Sequence, residues 1–256
     1  MSKNSVLELK NVSTYVNRNT PNEVKILKEL NLCVDAGDFI TVIGSNGAGK
    51  STLFNTIAGE LSPDDGRILH NGQDISHVSV EKRTKFLSRV FQDPKMGTAP
   101  RMTVAENLLL ATKSGQKRGL HFRKLRTNKE FFAKRAAAMG NGLARLLDTP
   151  TENLSGGQRQ ALSFLMATIN HPDILLLDEH TAALDPKTSD ELMKQTSATV
   201  TDQHLTCLMI THHMEDALKY GNRLIVLHNG KITLDVKGMQ KESLSKKQIM
   251  ELFADQ

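Results

Sequence analysis

Hydrophobic residues in the first part of the chain recur mostly with the two-residue period of β-strands. Alternation and short apolar runs predict strands at residues 6–12, 26–34, 39–43 and 67–70. Residues 53–58 have helical spacing instead, and Asn71-Gly72 after the last strand is a strong signal of a hairpin turn. This part of the chain therefore predicts antiparallel strands combined with one α/β unit.

The pattern changes after Gln92, where helical spacing replaces the strand pattern. Helices are predicted at residues 102–111, 128–139, 143–147 and 160–169. Strands and helices then alternate, with strands at 174–177, 206–210, 223–227 and 232–234 and helices at 187–196, 214–220 and 243–253. We therefore expect one α/β domain over residues 1–256, with a catalytic core at 1–92 and 166–256 and an inserted helical lobe at 93–165.

Composition is typical of a soluble, cytosolic protein. The 256 residues are 39% hydrophobic, which suffices for a buried core, and no apolar run approaches the roughly 20 residues that span a bilayer. The N-terminal residues lack the basic and apolar regions of a signal peptide. Cys33 and Cys207 lie in strand-like stretches, so we expect buried, reduced thiols rather than a disulfide.

The net charge of +5 is modest, but basic residues concentrate between residues 113 and 134. They are Lys113, Lys117, Arg118, Arg123, Lys124, Arg126, Lys129 and Lys134. The pattern is typical of a solvated helical face, and a face turned toward anionic lipid headgroups is the alternative. Aromatic residues make up only 4% of the chain and form no visible stacking platform, so we expect no nucleic-acid partner.

The clearest chemistry lies between the predicted strand at 39–43 and the predicted helix at 53–58. The stretch reads Gly44, Ser45, Asn46, Gly47, Ala48, Gly49, Lys50, Ser51 and Thr52, which is the pattern of a phosphate-binding loop. Its glycines let the backbone approach a phosphate closely, and the N–H groups of the helix N-terminus point at the anion. Lys50 adds a positive charge for the outer phosphates, and the Ser51 hydroxyl can ligate Mg²⁺. The sequence therefore predicts a nucleotide site.

Two carboxylates follow the predicted strand at 174–177. A buried strand can hold Asp178 rigidly near Mg²⁺ bound at the phosphate loop. Glu179, one residue later, can reach the water that attacks the γ-phosphate and orient it or accept its proton. Taken alone, an apolar strand that ends in Asp-Glu is a common loop boundary. The phosphate loop is what favours the catalytic interpretation.

A second anion site is predicted immediately before the helix at 160–169. The run is Leu154, Ser155, Gly156, Gly157 and Gln158. It combines a serine hydroxyl, two glycines that permit close approach and a helix N-terminus. Ser155 could simply cap the helix, but that interpretation leaves the two glycines and the glutamine unexplained.

With these three motifs in this order, the whole chain resembles the ATP-binding cassette subunits of ABC transporters. The resemblance implies a P-loop NTPase core with an antiparallel β subdomain and an inserted helical subdomain, and it implies ATP and Mg²⁺ as cofactors. Lys50 and Ser51 match the Walker A lysine and serine, and Asp178 and Glu179 match the Walker B aspartate and catalytic glutamate. Residues 155–158 match the signature loop.

The resemblance also implies roles for residues that no pattern singles out. Gln92 corresponds to the glutamine that senses Mg²⁺ and water and leads to the helical lobe, and Asp185 to the D-loop aspartate. His212 corresponds to the switch histidine, and Tyr15 stands where the family stacks an aromatic ring on adenine. Taken singly, Gln92 and His212 would be interpreted as ordinary polar residues.

Partners follow from the same resemblance. Two cassette subunits would enclose two ATP molecules, each between Walker A of one subunit and the signature loop of the other. The helical lobe near residues 92–110 would dock on a separate integral membrane permease, which places the chain at the cytoplasmic face of the membrane. A solute-binding protein would act with that permease.

The chain departs from the family at His180, where proline is usual, and at His213, where an acidic or amide residue is common. It also departs in the helix after the signature loop, where residues 161–168 lack the frequent Ala-Arg-Ala-Leu ending. None of these changes removes a catalytic group. Together they resemble a bacterial importer subgroup with separate permease and solute-binding proteins, some of them associated with aromatic amino acids. The sequence does not identify the solute, because the cassette never touches it. A soluble cassette ATPase, for example one of cluster assembly, remains the alternative function, whereas the signature loop argues against a phosphate-loop kinase.

Overall fold

The computed structural model describes residues 5–18, 20–116 and 125–254. Its strands are β1 (Ser5–Val16), β2 (Val24–Asp35), β3 (Phe39–Ile43), β4 (Asp65–His70), β5 (Gln73–Asp74), β6 (Leu87–Val90), β7 (Ile174–Asp178), β8 (Cys207–Ile210), β9 (Arg223–His228) and β10 (Lys231–Lys237). Its α-helices are α1 (Lys50–Ala58), α2 (Val80–Arg83), α3 (Val104–Ala111), α4 (Leu125–Ala138), α5 (Gly156–Thr168), α6 (Pro186–Asp202), α7 (Met214–Lys219), α8 (Met239–Glu242) and α9 (Lys246–Ala254).

These elements confirm most of the predicted ones and correct three details. The segment predicted as a helix at 143–147 forms only a 3₁₀ turn at Leu143–Leu146. The short strand β6 was not predicted, because Ser88 and Arg89 interrupt its apolar pattern. Cys207 is buried as expected, but Cys33 is exposed, since it lies on the face of β2 opposite the buried Leu32 and Val34.

The chain divides into two compact units, and the first comprises the residues up to Arg83 together with those from His204 onward. One sheet of this unit is antiparallel and has the order β2-β1-β4-β5. In the other group of strands, β3 pairs in parallel with both β8 and β9, and β10 pairs antiparallel with β9. All five residues of β3 are buried, so the phosphate loop that follows it extends from the centre of a rigid sheet.

A buried arginine fixes the far end of α1 in this first unit. Arg83 is 1% exposed, and its guanidinium donates to the carbonyl oxygens of Thr56 (3.0 Å) and Ile57 (2.6 Å) in the last turn of α1. A cation at a helix C-terminus satisfies free carbonyls and complements the helix dipole. The C-terminal end of the helix that begins at the phosphate loop is therefore fixed.

The second unit runs from Thr84 to Gln203. Its strands β6 and β7 pair in parallel, with Arg89 opposite Leu176, and its helices are α3 to α6. Residues Ile174 to Leu177 are 0% exposed. The predicted helical lobe at 93–165 lies within this unit, and its boundaries stay a prediction.

Two expectations about surfaces can be compared with the described residues. No helix among them is both long and apolar enough to cross a membrane. In the basic stretch, Lys129 pairs with Asp148 (2.6 Å) and Lys134 with Glu130 (2.9 Å), as expected for a solvated helical face. Four of its members, Lys117, Arg118, Arg123 and Lys124, lie outside the described residues.

Candidate functional site

The loop from Gly44 to Thr52 connects β3 to α1 and has the backbone geometry of a phosphate cradle. Gly49, the N-cap of α1, has φ of 102°, a conformation that L-residues rarely adopt. At Gly44 an added Cβ would lie 2.3 Å from the carbonyl oxygen of Leu227, so only glycine fits beside β9. No side chain caps α1, and its first turn contains no acidic residue. The N–H groups at this helix N-terminus are thus oriented for an anion.

Lys50 places a positive charge at this loop. Its Nζ donates to the carbonyl oxygens of Gly44 (2.7 Å) and Ser45 (3.0 Å), and the residue is only 6% exposed. The next residue, Ser51, is exposed, as are Ser45, Asn46 and Gly47. A buried ammonium beside an uncapped helix N-terminus fits the phosphates of a nucleotide, and the exposed Ser51 hydroxyl fits a hard cation bound to them.

His212 lies at the same end of β3 as the phosphate loop. A cavity of about 370 Å³ is lined by Ile43, Gly44, Ser45, Thr211, His212, Met214 and Met250. His213 does not line this cavity. Its backbone N–H donates to Thr211 Oγ1 (3.1 Å), and it forms the N-cap of α7. The first unit therefore brings His212, and not His213, to the phosphate loop.

Tyr15 lies near the end of β1 with two cations at its ring. The guanidinium carbon of Arg18 and the Nζ of Lys25 are each 5.6 Å from the ring centroid. The backbone N–H of Tyr15 donates to Asp64 Oδ2 (2.5 Å). The ring is partly exposed, which is compatible with stacking on a base, and its role in binding adenine stays a prediction.

In the second unit, Asp178 ends the buried strand β7 and pairs with Arg89. Arg89 Nη2 lies 2.5 Å from Asp178 Oδ2, and the two side chains are 9% and 14% exposed. The described residues contain no group of three or more His, Cys, Asp or Glu side chains that could hold a metal ion by themselves. Mg²⁺ at a phosphate site needs only one or two protein oxygens besides phosphate and water, so the Asp178 carboxylate fits that role.

Glu179 follows in a strained backbone conformation, with φ of 46°. The N–H of Ala182 donates to the Glu179 carbonyl oxygen (3.0 Å), which closes a turn around His180. A non-glycine residue in this region costs about 1 kcal/mol or more and persists only where its surroundings enforce it. Glu29, His171 and His204 have a similar positive φ elsewhere in the chain, so the conformation by itself does not mark Glu179 as catalytic.

His180, which the sequence identified only as a departure from the family pattern, is an interior residue. It is 2% exposed, its Nε2 lies 3.2 Å from Thr196 Oγ1, and its ring stacks against Phe164 with centroids 6.4 Å apart. Burial lowers the pKa of His180 to about 4, so the ring is neutral at physiological pH. The residue beside Glu179 is thus packed between α5 and α6.

The signature loop begins α5, and Ser155 does cap that helix. Ser155 Oγ accepts from the Gln158 N–H (3.3 Å), and Gln158 Oε1 accepts from the Ser155 N–H (3.1 Å). This reciprocal pair explains the serine and the glutamine locally. The glycines have a separate reason: Gly156 is near Leu184, and Gly157 packs on Thr188 of α6. The structure thus brings the signature loop and the D-loop segment together.

Asp185 and Gln92 also lie in the second unit. Asp185 is the N-cap of α6, and its Oδ1 accepts from the Thr188 N–H (3.1 Å). Hydrogen bonds from the Thr188 side chain and backbone lower the pKa of Asp185. Gln92 is exposed just beyond β6, before the 3₁₀ turn at Pro94–Gly97. Their roles toward ATP and Mg²⁺ stay predictions.

Comparison with known proteins gives consistent matches. The family described as ABC transporter matches residues 27–182. A tyrosine transport ATP-binding protein of Clostridioides difficile is 43% identical over 249 residues, covering 97% of this chain and 98% of the relative. A thiamine import ATP-binding protein of Photobacterium profundum is 37% identical over 214 residues, covering 84% of each chain. A solved dimeric ATP-binding cassette in a post-hydrolysis state, bound to ADP and Pi, has a TM-score of 0.75 at 26% identity and covers 90% of this chain and 98% of its own.

Proposed function

This chain belongs to the ABC transporter family and is an ATPase of that family, and from this premise we propose that it powers a bacterial solute importer built with a separate permease. The observation that carries the nucleotide-binding part of this proposal is the buried Lys50 ammonium at an uncapped helix N-terminus, beside the cavity that His212 lines. The importer part is supported by the relatives named for tyrosine transport and thiamine import. This arrangement supports recognition of a nucleoside triphosphate, whose charge lies in its phosphates.

In this proposal the phosphate loop binds the nucleotide. Lys50 and the N–H groups of α1 bind the β- and γ-phosphates, while Tyr15 stacks on the adenine ring. The Ser51 hydroxyl, the Asp178 carboxylate and the Gln92 side chain would hold Mg²⁺, and the bound ion would neutralise charge on the phosphates. The oxygen donors of these three residues suit a hard cation.

Hydrolysis needs a water aligned with the γ-phosphorus. Glu179 orients this water and accepts its proton as the new O–P bond forms and the bond to the β–γ bridging oxygen breaks. His212 donates to the γ-phosphate and holds the same water in place. The products are ADP and inorganic phosphate, so no acceptor other than water is required.

The remaining motifs act between two copies of the chain. Ser155, Gly156, Gly157 and Gln158 of one subunit contact the ATP held by the phosphate loop of the other, and Asp185 lies at the same interface. The dimeric cassette among the solved relatives supports a homodimer. The dimer closes on ATP, because ATP binds the closed state more tightly, and it opens after hydrolysis. This cycle of closing and opening supplies the conformational change that drives transport.

The permease would contact the second unit near residues 92–110, of which residues 93–110 belong to the predicted lobe at 93–165. Met96 (69% exposed) and Leu110 (51% exposed) offer apolar contacts there. We infer a peripheral location at the cytoplasmic face of the membrane and a solute-binding protein that acts with the permease. The tyrosine transport relative, which matches along almost the whole of both chains, supports an aromatic amino acid as the solute.

The test begins with the purified chain and Mg²⁺-ATP. Wild type should release phosphate, whereas Glu179→Gln should bind ATP and hydrolyse it about a hundredfold more slowly, the scale of a general base. Glu191→Gln, at an exposed position on α6, is the matched control and should retain full turnover. Near-normal turnover in Glu179→Gln would contradict the assignment of the base.

Transport is tested by co-expression with the permease of the proposed importer. The two proteins should co-purify from membranes and support ATP-dependent uptake of a labelled aromatic amino acid into vesicles. An active ATPase that never associates with a membrane protein would favour a soluble cassette ATPase such as one of cluster assembly.

A further inference from the structure

Arg89 and Asp178 are brought together by the register of two parallel strands. Arg89 on β6 pairs with Leu176 on β7, so their side chains project on the same face of the sheet. Asp178 lies two residues after Leu176 and therefore shares that face. The resulting distance is 2.5 Å between Arg89 Nη2 and Asp178 Oδ2. The ion pair is thus determined by the backbone of the sheet and not by a mobile surface side chain.

The same guanidinium contacts the segment that leads to Gln92. Its central carbon lies 4.9 Å from the ring centroid of Phe91. The Phe91 carbonyl oxygen accepts from Gln160 Nε2 (3.1 Å), and Gln160 is 1% exposed on α5. Stacking on one side and an ion pair on the other fix the guanidinium in position.

The Arg89 guanidinium and Mg²⁺ would therefore bind the same carboxylate. The Asp178 side chain is 14% exposed, and a carboxylate with so little water around it needs a positive partner. Arg89 supplies that partner without any metal. Mg²⁺ at Asp178 would meet an oxygen whose charge Arg89 already balances, and it would meet repulsion from the guanidinium itself.

We propose that Arg89 is a positioning residue that holds the Asp178 carboxylate before Mg²⁺ arrives and competes with Mg²⁺ for it. Arg89 thereby sets the Mg²⁺ concentration at which the nucleotide site is assembled. The proposal rests on the proposed function, in which Asp178 is an Mg²⁺ ligand. Beyond that role of Asp178, the proposal identifies the Arg89 guanidinium as a second cation that binds the same carboxylate.

The deciding variant is Arg89→Gln, since the amide can still donate a hydrogen bond to Asp178 but carries no charge. A fluorescent, non-hydrolysable ATP analogue is bound at fixed concentration while MgCl₂ is titrated, so the readout is nucleotide binding and not turnover. The Mg²⁺ midpoint should fall by at least about fivefold in Arg89→Gln, because a like charge next to the metal is removed. Arg89→Lys keeps a positive charge next to the metal position and should stay within about twofold of wild type.

Arg135→Gln is the matched control. Arg135 also stacks on a phenylalanine, with its guanidinium carbon 5.5 Å from the Phe131 ring centroid, but it lies on α4. Its midpoint should equal that of wild type. If Arg89→Gln does not fold, Arg89→Met replaces it, because methionine keeps the packing on Phe91.

An unchanged or higher Mg²⁺ midpoint in the neutral variant would overturn the competition, and so would an Arg89→Lys midpoint that falls as far as that of Arg89→Gln. Both outcomes leave the proposed function intact if wild type needs Mg²⁺ to bind the analogue tightly. If the affinity of the wild-type protein for the analogue does not depend on Mg²⁺, the proposed function is contradicted as well.

Discussion

A Cβ atom at Gly157 would lie 2.4 Å from the Cγ2 methyl of Thr188. The second glycine of the signature loop is therefore packed directly on the first turn of α6, whose N-cap is Asp185. Gly157→Ala should destabilise the protein by about 1–3 kcal/mol, the usual cost of overpacking. Thr188→Ser removes the methyl, so adding it to Gly157→Ala should restore most of the lost stability. Urea unfolding of the single and double variants measures both effects.

The neighbouring glycine supplies the control for this prediction. At Gly156 the nearest atom to an added Cβ is Leu184 Cδ2 at 3.8 Å, an ordinary contact. Gly156→Ala should be neutral or slightly stabilising, because alanine favours the helix. If both alanine variants lose the same stability, the loss comes from the loop backbone and not from Thr188.

His212 and His213 should differ sharply in their effect on turnover. Only His212 lines the cavity beside the phosphate loop, whereas His213 is the N-cap of α7. His212→Ala should reduce ATP hydrolysis by about a hundredfold or more while ATP binding persists. His213→Ala should reduce it much less. Phosphate release and equilibrium ATP binding are measured for both, and an equal loss of turnover in the two would contradict the assignment.

The parts of the site that lie within one continuous stretch of sequence could be predicted. The parts that depend on packing between separate elements could not. The phosphate loop needs only Gly44 to Thr52 between a strand and a helix. The ABC ATPase fold, which the family resemblance of the three motifs implied, is confirmed by the solved cassette. The pairing of Arg89 with Asp178 depends on strand register. The strand β6 was itself not predicted, because the polar residues Ser88 and Arg89 interrupt its apolar pattern. The contact of Gly157 with Thr188 depends on how two helices pack, which no local pattern contains.

Strict strand alternation would have improved one prediction. Leu30, Leu32 and Val34 are the apolar residues of one face of β2, so Cys33 had to lie on the other face. The burial of His180 had no comparable signal, because a single polar residue after Asp-Glu carries no periodicity. Its buried environment is formed by Phe164 of α5 and Thr196 of α6, and no local sequence pattern predicts these contacts.

The burial of His180 should make stability depend on pH. Its pKa is about 4 in the folded protein against an ordinary 6.5, so between these values the unfolded chain binds the proton more readily. His180 therefore costs no stability above about pH 6.5, and the protein loses stability as pH falls from 6.5 toward 4. The loss from pH 7 to pH 5 should be about 2 kcal/mol from this residue.

His180→Gln removes this titration and retains an amide that can bond to Thr196. The difference in unfolding free energy between pH 7 and pH 5 should therefore be smaller in the variant by about 2 kcal/mol. His171→Gln, at an exposed position in the same unit, should leave the wild-type difference unchanged. A His180→Gln protein with the full wild-type pH dependence would show that other groups are responsible.

The final prediction concerns the sharing of ATP between two subunits. A carboxylate at position 157 should face the γ-phosphate bound by the partner and prevent closure through repulsion in a poorly solvated interface. Because any Cβ at this position meets Thr188, the change must be made in the Thr188→Ser protein. Gly157→Asp in that background should still bind ATP as a monomer, but size exclusion should detect no ATP-dependent dimer, and hydrolysis should fall with dimerisation. Thr188→Ser alone, which should dimerise normally, is the reference.

Mixing this variant with Lys50→Ala makes the test specific for a shared site. Lys50→Ala loses the ammonium that the phosphate loop contributes, and the position 157 variant loses the signature loop. A mixed dimer combines one intact phosphate loop with one intact signature loop, so it should regain up to one site's share of hydrolysis if the sites work independently. Verified mixed dimers without any recovery would mean that the two sites are strictly coupled. Failure of the position 157 variant to bind ATP as a monomer would refute the sharing itself, because the phosphate loop of that subunit is unaltered.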